Sequence, residues 1–511
     1  MYKTHSELVR NTKFAGRPCS NLIQEIQTMY TADERPWVIG FSGGKDSTAV
    51  LSLVYESIVT LSEDKRNKTL YVVSSDTLVE TPVVVDQIKH VLKSVASAAG
   101  ENSFKVSLNQ VHPKKSQTFW ANLLGRGYPA PTKSFRWCTE RMKIDPVNTF
   151  ILDKVAEFGE AIIVLGSRRQ ESATRAQVIA RHRIKNSLLG RHKSLPNAYT
   201  YMPIEDWSAD EVWEYLLGAP TPWGDTNKKL FELYKGSNQG ECPLVIDTST
   251  PSCGNSRFGC WTCTVVNEDK AMHGLIESGE TWMQPLLDFR NELAKSTIPE
   301  NKRKYRNYKR RSGKVTFSAS KKINDDSSTI SKVIPGPYWM KQRKTWLRRL
   351  LKIEKKLRQN GQDIELIQRD ELHEIRQQWL SDPNEPDWKD SLPKIYKEVY
   401  PDDPIQWVKD DFGTFSEFDI ELVESLSKEY SIPAPLVQKL IDLEVAAIGS
   451  GNRRGIQKQL DTLLSQDWES LEKIENQHHR DKARYSDWEK DRDEIMKMLG
   501  EQESEFIGRN Q

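Results

Sequence analysis

The residues with the clearest chemical potential form the loop Gly40-Phe41-Ser42-Gly43-Gly44-Lys45-Asp46-Ser47. This loop follows the apolar run 37–41, which predicts a strand, and precedes the run 48–58, which predicts a helix. A strand, a glycine turn and a helix N-terminus gather unsatisfied backbone N–H groups and the positive end of the helix dipole around one point. The expected ligand is therefore a phosphate chain. The alternative is a plain tight turn that needs positive φ angles at its glycines.

A second chemical group consists of cysteines near residue 260. Cys253, Cys260 and Cys263 have the spacing C-x6-C-x2-C. A four-thiolate site needs one more ligand, for which Cys138 is the first candidate and Cys242 the reserve. An iron–sulfur cluster and a structural zinc ion both accept four thiolates, so the spacing leaves both metals open.

Polar residues also follow two predicted strands. Asp76 directly follows the run 69–75, and the run 161–165 is followed by three arginines: Arg168, Arg169 and Arg175. In parallel sheets, ligands bind beyond the carboxyl ends of the strands, so these side chains are expected in one crevice with the loop. Asp76 would bond ribose or base, with helix capping as the alternative. The guanidinium groups suit phosphate oxygens, with a solvated basic loop as the alternative.

The pattern around these residues predicts an α/β domain. Strands alternate with helices, one of which begins at Pro82, and Ser208 with Glu211 forms the signature of a capping box. We expect this domain to cover residues 1–297. A basic segment and linker would follow at 298–335, and a charged α-helical domain at 336–511.

The composition bounds the class of protein. The chain has 511 residues, of which 37% are hydrophobic and 29% charged, and its apolar runs are too short to span a bilayer. The N-terminus has no apolar signal region, so we expect a cytoplasmic protein. Its clustered cysteines then indicate metal or redox chemistry instead of a disulfide framework, with Cys19 as a bystander.

Lysines, arginines and tyrosines alternate over residues 302–311. Such a run predicts contact with a polyanion such as nucleic acid, and Tyr305 and Tyr308 would add stacking on bases. A solvated charged face is the alternative.

The glycine loop differs from the Walker A pattern. That pattern requires a glycine where this chain has Ile39 and a hydroxyl where it has Asp46. The loop instead resembles the Ser-Gly-Gly-x-Asp-Ser loop of ATP pyrophosphatases, which cleave ATP between the α and β phosphates and adenylate an oxygen. This resemblance implies that Lys45 neutralises the pyrophosphate and that Asp46 helps to place Mg²⁺. It also implies that four small residues hold the pyrophosphate: Ser42, Gly43, Gly44 and Ser47.

A wider resemblance rests on five regions of the first 290 residues: 42–47, 75–81, 137–146, 166–175 and 203–207. They are similar to the phosphoadenylylsulfate reductase family. The resemblance implies an adenine nucleotide alpha hydrolase-like (HUP) parallel sheet with helices on both faces. Segments 125–131 and 135–139 and the long helical part are most similar to the sulfur-transfer component of DNA phosphorothioate modification.

This resemblance implies specific cofactors, partners and roles. ATP, Mg²⁺ and a 4Fe–4S cluster are the implied cofactors, with the cluster on four cysteines: Cys138, Cys253, Cys260 and Cys263. Lys45, Asp46 and Arg168 would be catalytic, with Asp76 and Arg175 also contacting the nucleotide. The implied partners are DNA, a cysteine desulfurase and other phosphorothioation proteins, and no membrane.

Sulfate reduction is disfavoured because no cysteine follows Cys263, where those reductases carry a nucleophile. Their iron–sulfur versions also have adjacent cysteines where this chain has Trp137-Cys138-Thr139. Thiolation of a tRNA base remains an alternative activity, and a non-catalytic nucleotide-binding module remains an alternative class.

Overall fold

The computed structural model describes Val9 and residues 11–237, 259–318, 321–323, 326–330, 332–408, 417–450 and 455–508. The chain divides into two compact units. The first combines Met1–Asn301, Lys341–Gln378 and Leu392–Val408, and the second combines Lys302–Met340, Trp379–Ser391 and Lys409–Gln511. The predicted boundaries at 297 and 335 differ from this division, because residues 341–378 belong to the first unit.

A six-stranded sheet forms the centre of the first unit. Its strands lie in the order β5–β4–β3–β6–β8–β7, where only β7 runs antiparallel to its neighbour. The strands are β3 (Trp37–Gly40), β4 (Leu70–Ser75), β5 (Val106–Val111), β6 (Ala161–Val164), β7 (Leu189–Arg191) and β8 (Ala198–Tyr201). The short strands β1 (Lys13–Phe14) and β2 (Arg17–Pro18) form a separate pair. The predicted parallel sheet is confirmed.

Helices cover both faces of this sheet. Trp37 and Ile39 face a core shared with α1 (Cys19–Thr31), α2 (Lys45–Val59), α3 (Pro82–Glu101) and α6 (Ala209–Gly218). Val38 and Ile163 face a second core with α4 (Asp145–Phe158) and α5 (Ala173–His182). Successive strand residues point to opposite faces, so the apolar run fills both cores. The predicted α/β class with helices on both faces is confirmed.

Local sequence signals set the ends of two helices as predicted. Pro82 occupies the first turn of α3, where its missing N–H costs nothing. The Glu211 N–H donates to Ser208 Oγ at 3.1 Å, and the Ser208 N–H donates to Glu211 Oε2 at 2.7 Å. This reciprocal pair is the predicted capping box of α6.

Buried polar contacts attach residues 341–378 to the first unit. The Trp120 indole donates to the Leu366 carbonyl at 2.7 Å, and the Arg343 guanidinium donates to the Gly125 carbonyl at 2.6 Å. The remaining helices that contribute to this unit are α7 (Lys228–Ser237), α8 (Lys270–Glu277), α9 (Gln284–Lys295), α10 (Met340–Gln359), α11 (Arg369–Leu380) and α12 (Ser391–Val399). The two buried hydrogen bonds of Leu366 and Arg343 hold residues 341–378 against the sheet domain.

The second unit is mainly helical in its described part. It contains β9 (Lys321–Ile323), β10 (Asp326–Ile330), α13 (Glu417–Glu429), α14 (Ala434–Ser450), α15 (Ile456–Leu464) and α16 (Leu471–Gly508). The final charged helix, predicted from residue 468, begins at Leu471. Among the described helices of the whole chain, none combines the length and the apolar character needed to cross a membrane.

The basic run 302–311 lies in the second unit and is partly used for internal contacts. Arg306 donates to the carbonyls of Gly336 and Pro335 at 2.7 and 2.5 Å, and Arg310 donates to Pro335 at 3.1 Å. Arg303 pairs with Glu475 at 2.9 Å. These arginines therefore already have partners within the protein, and the predicted contact of the run with a polyanion stays a prediction.

Candidate nucleotide and thiol sites

The backbone of the glycine loop is shaped by the elements on either side of it. The Phe41 N–H extends β3 by donating to the Val73 carbonyl at 2.8 Å, and α2 begins four residues later. Gly43 has a φ of +73°, and a Cβ there would lie 2.5 Å from Ile88 Cγ1. Only glycine satisfies both the left-handed conformation and the close packing on α3.

The two serines of the loop are bonded to each other. Ser42 Oγ and Ser47 Oγ lie 3.1 Å apart, the Ser42 N–H donates to Ser47 Oγ at 3.3 Å, and Ser47 Oγ donates to the Gly44 carbonyl at 3.0 Å. Gly44 precedes α2 and supplies no side-chain cap. The positive end of this helix therefore faces the loop, as an anion site requires.

Lys45, Asp46 and Arg168 form a buried charge cluster at the start of α2. The Asp46 carboxylate lies between two cations, with Lys45 Nζ 3.3 Å from Oδ2 and Arg168 Nε 2.6 Å from Oδ1. All three residues are buried, with 5%, 2% and 3% of their surface exposed. One anion between two cations leaves a local excess of positive charge, which suits a phosphate ligand.

Glu171 extends this cluster and was not identified from the sequence. One of its oxygens accepts the Arg168 N–H at 2.8 Å, and the other lies 3.2 Å from Arg175 Nη2. Burial raises the pKa of Glu171, while Arg175 acts in the opposite direction. The three-residue interval from Arg168 to Glu171 forms a capping box, which is the sequence signal that could have revealed it.

The predicted arginines separate into two groups. Arg168 and Arg175 join the buried cluster, whereas Arg169 lies 3.2 Å from Glu205 and 3.4 Å from Asp206. Arg169 is thus paired with the largely buried carboxylate of Glu205 and the exposed one of Asp206, and its contact with a phosphate stays a prediction.

Asp76 lies at the end of β4, as predicted. Its Oδ1 accepts the Leu78 N–H at 2.8 Å, and its Oδ2 lies 3.2 Å from Gln110 Nε2 and 3.6 Å from His112 Nε2. Helix α3 begins only at Pro82, so Asp76 closes a turn instead of capping that helix. Its proposed contact with ribose or base stays a prediction.

Cys260 lies close to the segment that follows β4. The Trp261 N–H donates to Val79 at 3.0 Å, and the Thr81 N–H donates to Gly259 at 2.8 Å, which places Cys260 opposite Glu80. Cys260 Sγ lies 3.3 Å from Thr77 Oγ1. Burial raises the pKa of this thiol, with Glu80 and Cys138 adding to the effect.

Charged neighbours complete this region. Lys143 Nζ lies 3.1 Å from Glu80 Oε1, and the Arg290 guanidinium donates to the Cys263 carbonyl at 2.7 Å. Neither Glu80 nor Arg290 was assigned a role from the sequence, because both are distant in sequence from the cysteines that they support. Cys19, the predicted bystander, lies in the hydrophobic core at α1, where burial raises the pKa of its thiol to about 12.

The predicted metal site is only partly covered by the described residues. Cys253 and the reserve ligand Cys242 lie outside them, and inside them no three His, Cys, Asp or Glu side chains are arranged to hold a metal ion. By donor type, the thiolates of Cys138, Cys260 and Cys263 suit iron–sulfur or zinc chemistry. The cluster therefore stays a prediction.

Tyr234 on α7 is a further residue that the sequence did not indicate. Its hydroxyl accepts the Lys45 N–H at 3.1 Å, and Lys45 Nζ lies 5.4 Å from its ring centroid. No local motif marks this tyrosine, since it comes from a helix 189 positions away from Lys45.

Comparisons with known proteins find one curated relative and several solved structures that resemble part of the chain. An uncharacterized protein of Methanocaldococcus jannaschii is 28% identical over 212 residues, so the matched stretch spans 42% of this chain and 38% of that relative. The solved phosphoadenylyl-sulfate reductase of Candida auris is 13% identical, covering 38% of this chain and 77% of that one, with a TM-score of 0.25. The U34-tRNA thiolase NcsA of Methanococcus maripaludis, solved with its 4Fe–4S cluster, is 15% identical, covering 44% and 77%, with a TM-score of 0.25. At these TM-scores neither structure bears on function.

The family comparison covers the sheet and most of the cysteine region. Residues 36–266 match the family model described as the phosphoadenosine phosphosulfate reductase domain. This stretch includes the glycine loop, Arg168 and Cys260. Members of that family are enzymes that act on nucleotides in sulfur chemistry. Residues 36–266, somewhat less than half of the chain, are therefore similar to a phosphoadenosine phosphosulfate reductase domain.

Proposed function

We propose that this protein is an ATP pyrophosphatase and sulfurtransferase of the DndC type, which adenylates a DNA backbone phosphate and enables its replacement by phosphorothioate. The observation that carries the proposal is the buried cluster at the glycine loop. Asp46 occupies the position of a Walker hydroxyl and lies between Lys45 and Arg168. A loop built in this way favours a pyrophosphate leaving group over a transferred γ-phosphate.

The chain's own residues would act mainly by positioning and by neutralising charge. The loop N–H groups and the Lys45 ammonium would hold the β and γ phosphates, and Arg168 would face the α-phosphate. A nonbridging oxygen of the acceptor phosphate would attack the α-phosphorus, and the bond from that phosphorus to the pyrophosphate oxygen would break. Preorganised cations stabilise the charge that develops on the leaving pyrophosphate.

Two cofactors belong to the proposal. Asp46 offers one hard carboxylate, which suits Mg²⁺ because this ion takes most of its other ligands from phosphates and water. When bound, Mg²⁺ would supply further neutralisation of pyrophosphate. Cys138, Cys253, Cys260 and Cys263 would hold a 4Fe–4S cluster, which would supply sulfur chemistry when bound. A sulfur nucleophile at the oxidation level of sulfide would form the new bond to the activated phosphorus, and AMP would leave. A cysteine desulfurase and other phosphorothioation proteins are the proposed partners.

The second unit supports a nucleic-acid acceptor through one group of residues. Lys309 Nζ and Lys439 Nζ lie 4.8 and 5.1 Å from the ring centroid of Trp468. Burial, together with the nearby charge of Lys309, lowers the pKa of Lys439 to about 8. The carboxylate of Asp467 raises the pKa of Lys309, and those of Asp382 and Asp442 raise the pKa of Lys439, so each acts against the effect of burial. A bridging phosphodiester would relieve the repulsion between the two ammonium groups.

The test is a product assay with ATP labelled at the α-phosphate, in the presence of DNA or tRNA. We expect AMP and pyrophosphate, with stimulation by DNA. Lys45→Ala should abolish cleavage, whereas Lys89→Ala, on the exposed surface of α3, should leave it unchanged.

Three outcomes would contradict parts of the proposal. ADP and phosphate as products would exclude the pyrophosphatase. Stimulation by tRNA and not by DNA would favour base thiolation. Lack of any cleavage with all acceptors and with sulfur-donor partners present would favour a non-catalytic nucleotide-binding module.

A further inference from the structure

The side chain of Tyr234 lies against the glycine loop at Gly44 and Lys45. Its hydroxyl oxygen accepts the backbone N–H of Lys45, the first residue of α2, at 3.1 Å. A Cβ added to Gly44 would lie 3.1 Å from the same oxygen. The hydroxyl therefore contacts two consecutive residues of the loop, at the point where the helix dipole and the N–H groups of the first turn converge.

The Lys45 N–H is one of the donors that a helix leaves without an intrahelical partner. At an anion-binding helix N-terminus, such a donor bonds an oxygen of the ligand. In this structure the phenol oxygen of Tyr234 takes that bond. A phosphate oxygen cannot occupy the same position at the same time, so nucleotide binding requires the hydroxyl to leave.

The aromatic ring also covers the lysine of the loop. Lys45 Nζ lies 5.4 Å from the Tyr234 ring centroid, within range of a cation–π interaction. The ring packs edge-on against Trp213 of α6, with centroids 5.0 Å apart. Trp213 thereby holds the tyrosine over the loop, and removal of the hydroxyl alone would leave this packing intact.

We propose that the Tyr234 hydroxyl competes with the ligand at the nucleotide site: it occupies the position of a phosphate oxygen and is displaced by the phosphate chain. This inference rests on the proposed function only in taking the loop as a phosphate site. A charged phosphate oxygen is a stronger hydrogen-bond acceptor than a neutral phenol oxygen, so the ligand displaces the hydroxyl. Breaking the hydrogen bond between Tyr234 and Lys45 uses part of the binding free energy of the ligand.

Because the Tyr234 hydroxyl competes for the Lys45 N–H, the protein should bind phosphate more weakly than it would without this hydroxyl. Apparent affinity falls in proportion to the fraction of protein in the competent state. Tyr234→Phe removes the competing acceptor and keeps the ring. Given the usual net value of one hydrogen bond, we expect the variant to bind about two- to thirteenfold more tightly.

Calorimetric titration of Mg-ATP and of inorganic pyrophosphate tests this directly. The proteins compared are the wild type, Tyr234→Phe and Tyr199→Phe. Tyr199 is the matched control, because its hydroxyl donates to Glu160 at 3.2 Å, next to the opposite, amino-terminal end of β6. We expect tighter binding of both ligands by Tyr234→Phe alone.

The outcomes separate this inference from the proposed function. Equal or weaker binding by Tyr234→Phe, with normal binding by the wild type, would overturn the displacement of Tyr234 and leave the phosphate site standing. Weaker binding in particular would mean that the hydroxyl contacts the bound ligand. Binding by none of the three proteins would refute the phosphate site and this inference together.

Discussion

Gly166 follows β6 and packs against the backbone of the first turn of α2. Its replacement by alanine should move Arg168 away from Asp46 within the buried charge cluster. A Cβ at this position would lie 2.7 Å from the carbonyl carbon and oxygen of Asp46 and 3.0 Å from the Ser47 nitrogen. All three neighbours are backbone atoms, so no side chain can rotate away. The conflict can be relieved only by moving one segment.

The size of the effect follows from these distances. Ordinary contact begins near 3.4 Å, so the two segments must part by about 0.7 Å. The Arg168–Asp46 contact, now 2.6 Å, would lengthen beyond good hydrogen-bond geometry. Overpacking of this kind costs about 1–3 kcal/mol of stability. A displacement approaching 1 Å at reacting groups reduces rates by up to about 100-fold.

Two assays on purified Gly166→Ala check this reasoning: thermal unfolding and pyrophosphate release from ATP. Gly100→Ala is the matched control, because a Cβ at Gly100, in the last turn of α3, meets nothing within 4 Å. That control should be neutral or stabilised by up to about 1 kcal/mol. If Gly166→Ala matched Gly100→Ala in both assays, the close contact between β6 and α2 would not position the cluster.

Three further predictions concern other parts of the chain. Lys309→Gln with Lys439→Gln should weaken DNA binding and reduce its salt slope by about one per lysine lost while ATP cleavage persists, as measured by titration at two salt concentrations; an unchanged slope would exclude this contact. Cys260→Ser should lose the brown colour and iron of anaerobically purified protein, about four irons per chain for a cubane, whereas Cys19→Ser should keep them; stoichiometric zinc without iron would indicate a structural site. Burial raises the pKa of Glu371 from 4.5 to about 7, so the stability that its protonated form contributes is complete below pH 4.5 and is lost as pH rises through 7. Glu371→Gln should therefore reduce the fall in melting temperature between pH 5 and 8, and an unaltered pH profile of the melting temperature would contradict this.

Local signals determined the framework of the first unit. The apolar β-branched runs at Trp37 and Ala161 became buried strands, and the Ser208–Glu211 pair became a capping box. The glycine loop falls between strand and helix as predicted. These features depend on residues a few positions apart, whose steric and hydrogen-bonding preferences act before any distant part of the chain is in place.

The boundary between the two units depended on distant contacts. The sequence around Trp346 correctly indicates an amphipathic helix, but periodicity does not reveal which surface covers its apolar face. The hydrogen bonds from Trp120 to Leu366 and from Arg343 to Gly125 join segments more than 200 positions apart. Such contacts assign residues 341–378 to the unit that contains the sheet.

The sequence by itself determined the loop, its likeness to pyrophosphatase loops and the set of polar residues that could serve it. Only the tertiary structure decided which of them meet. Three arginines of identical chemistry follow β6. Arg168 forms an ion pair with Asp46, 122 positions away, whereas Arg169 forms one with Glu205. Tyr234 reaches Lys45 from a helix that carries no motif. Residue type fixes what a side chain can bond, whereas the packing of strands and helices fixes which partners come within about 3 Å of it.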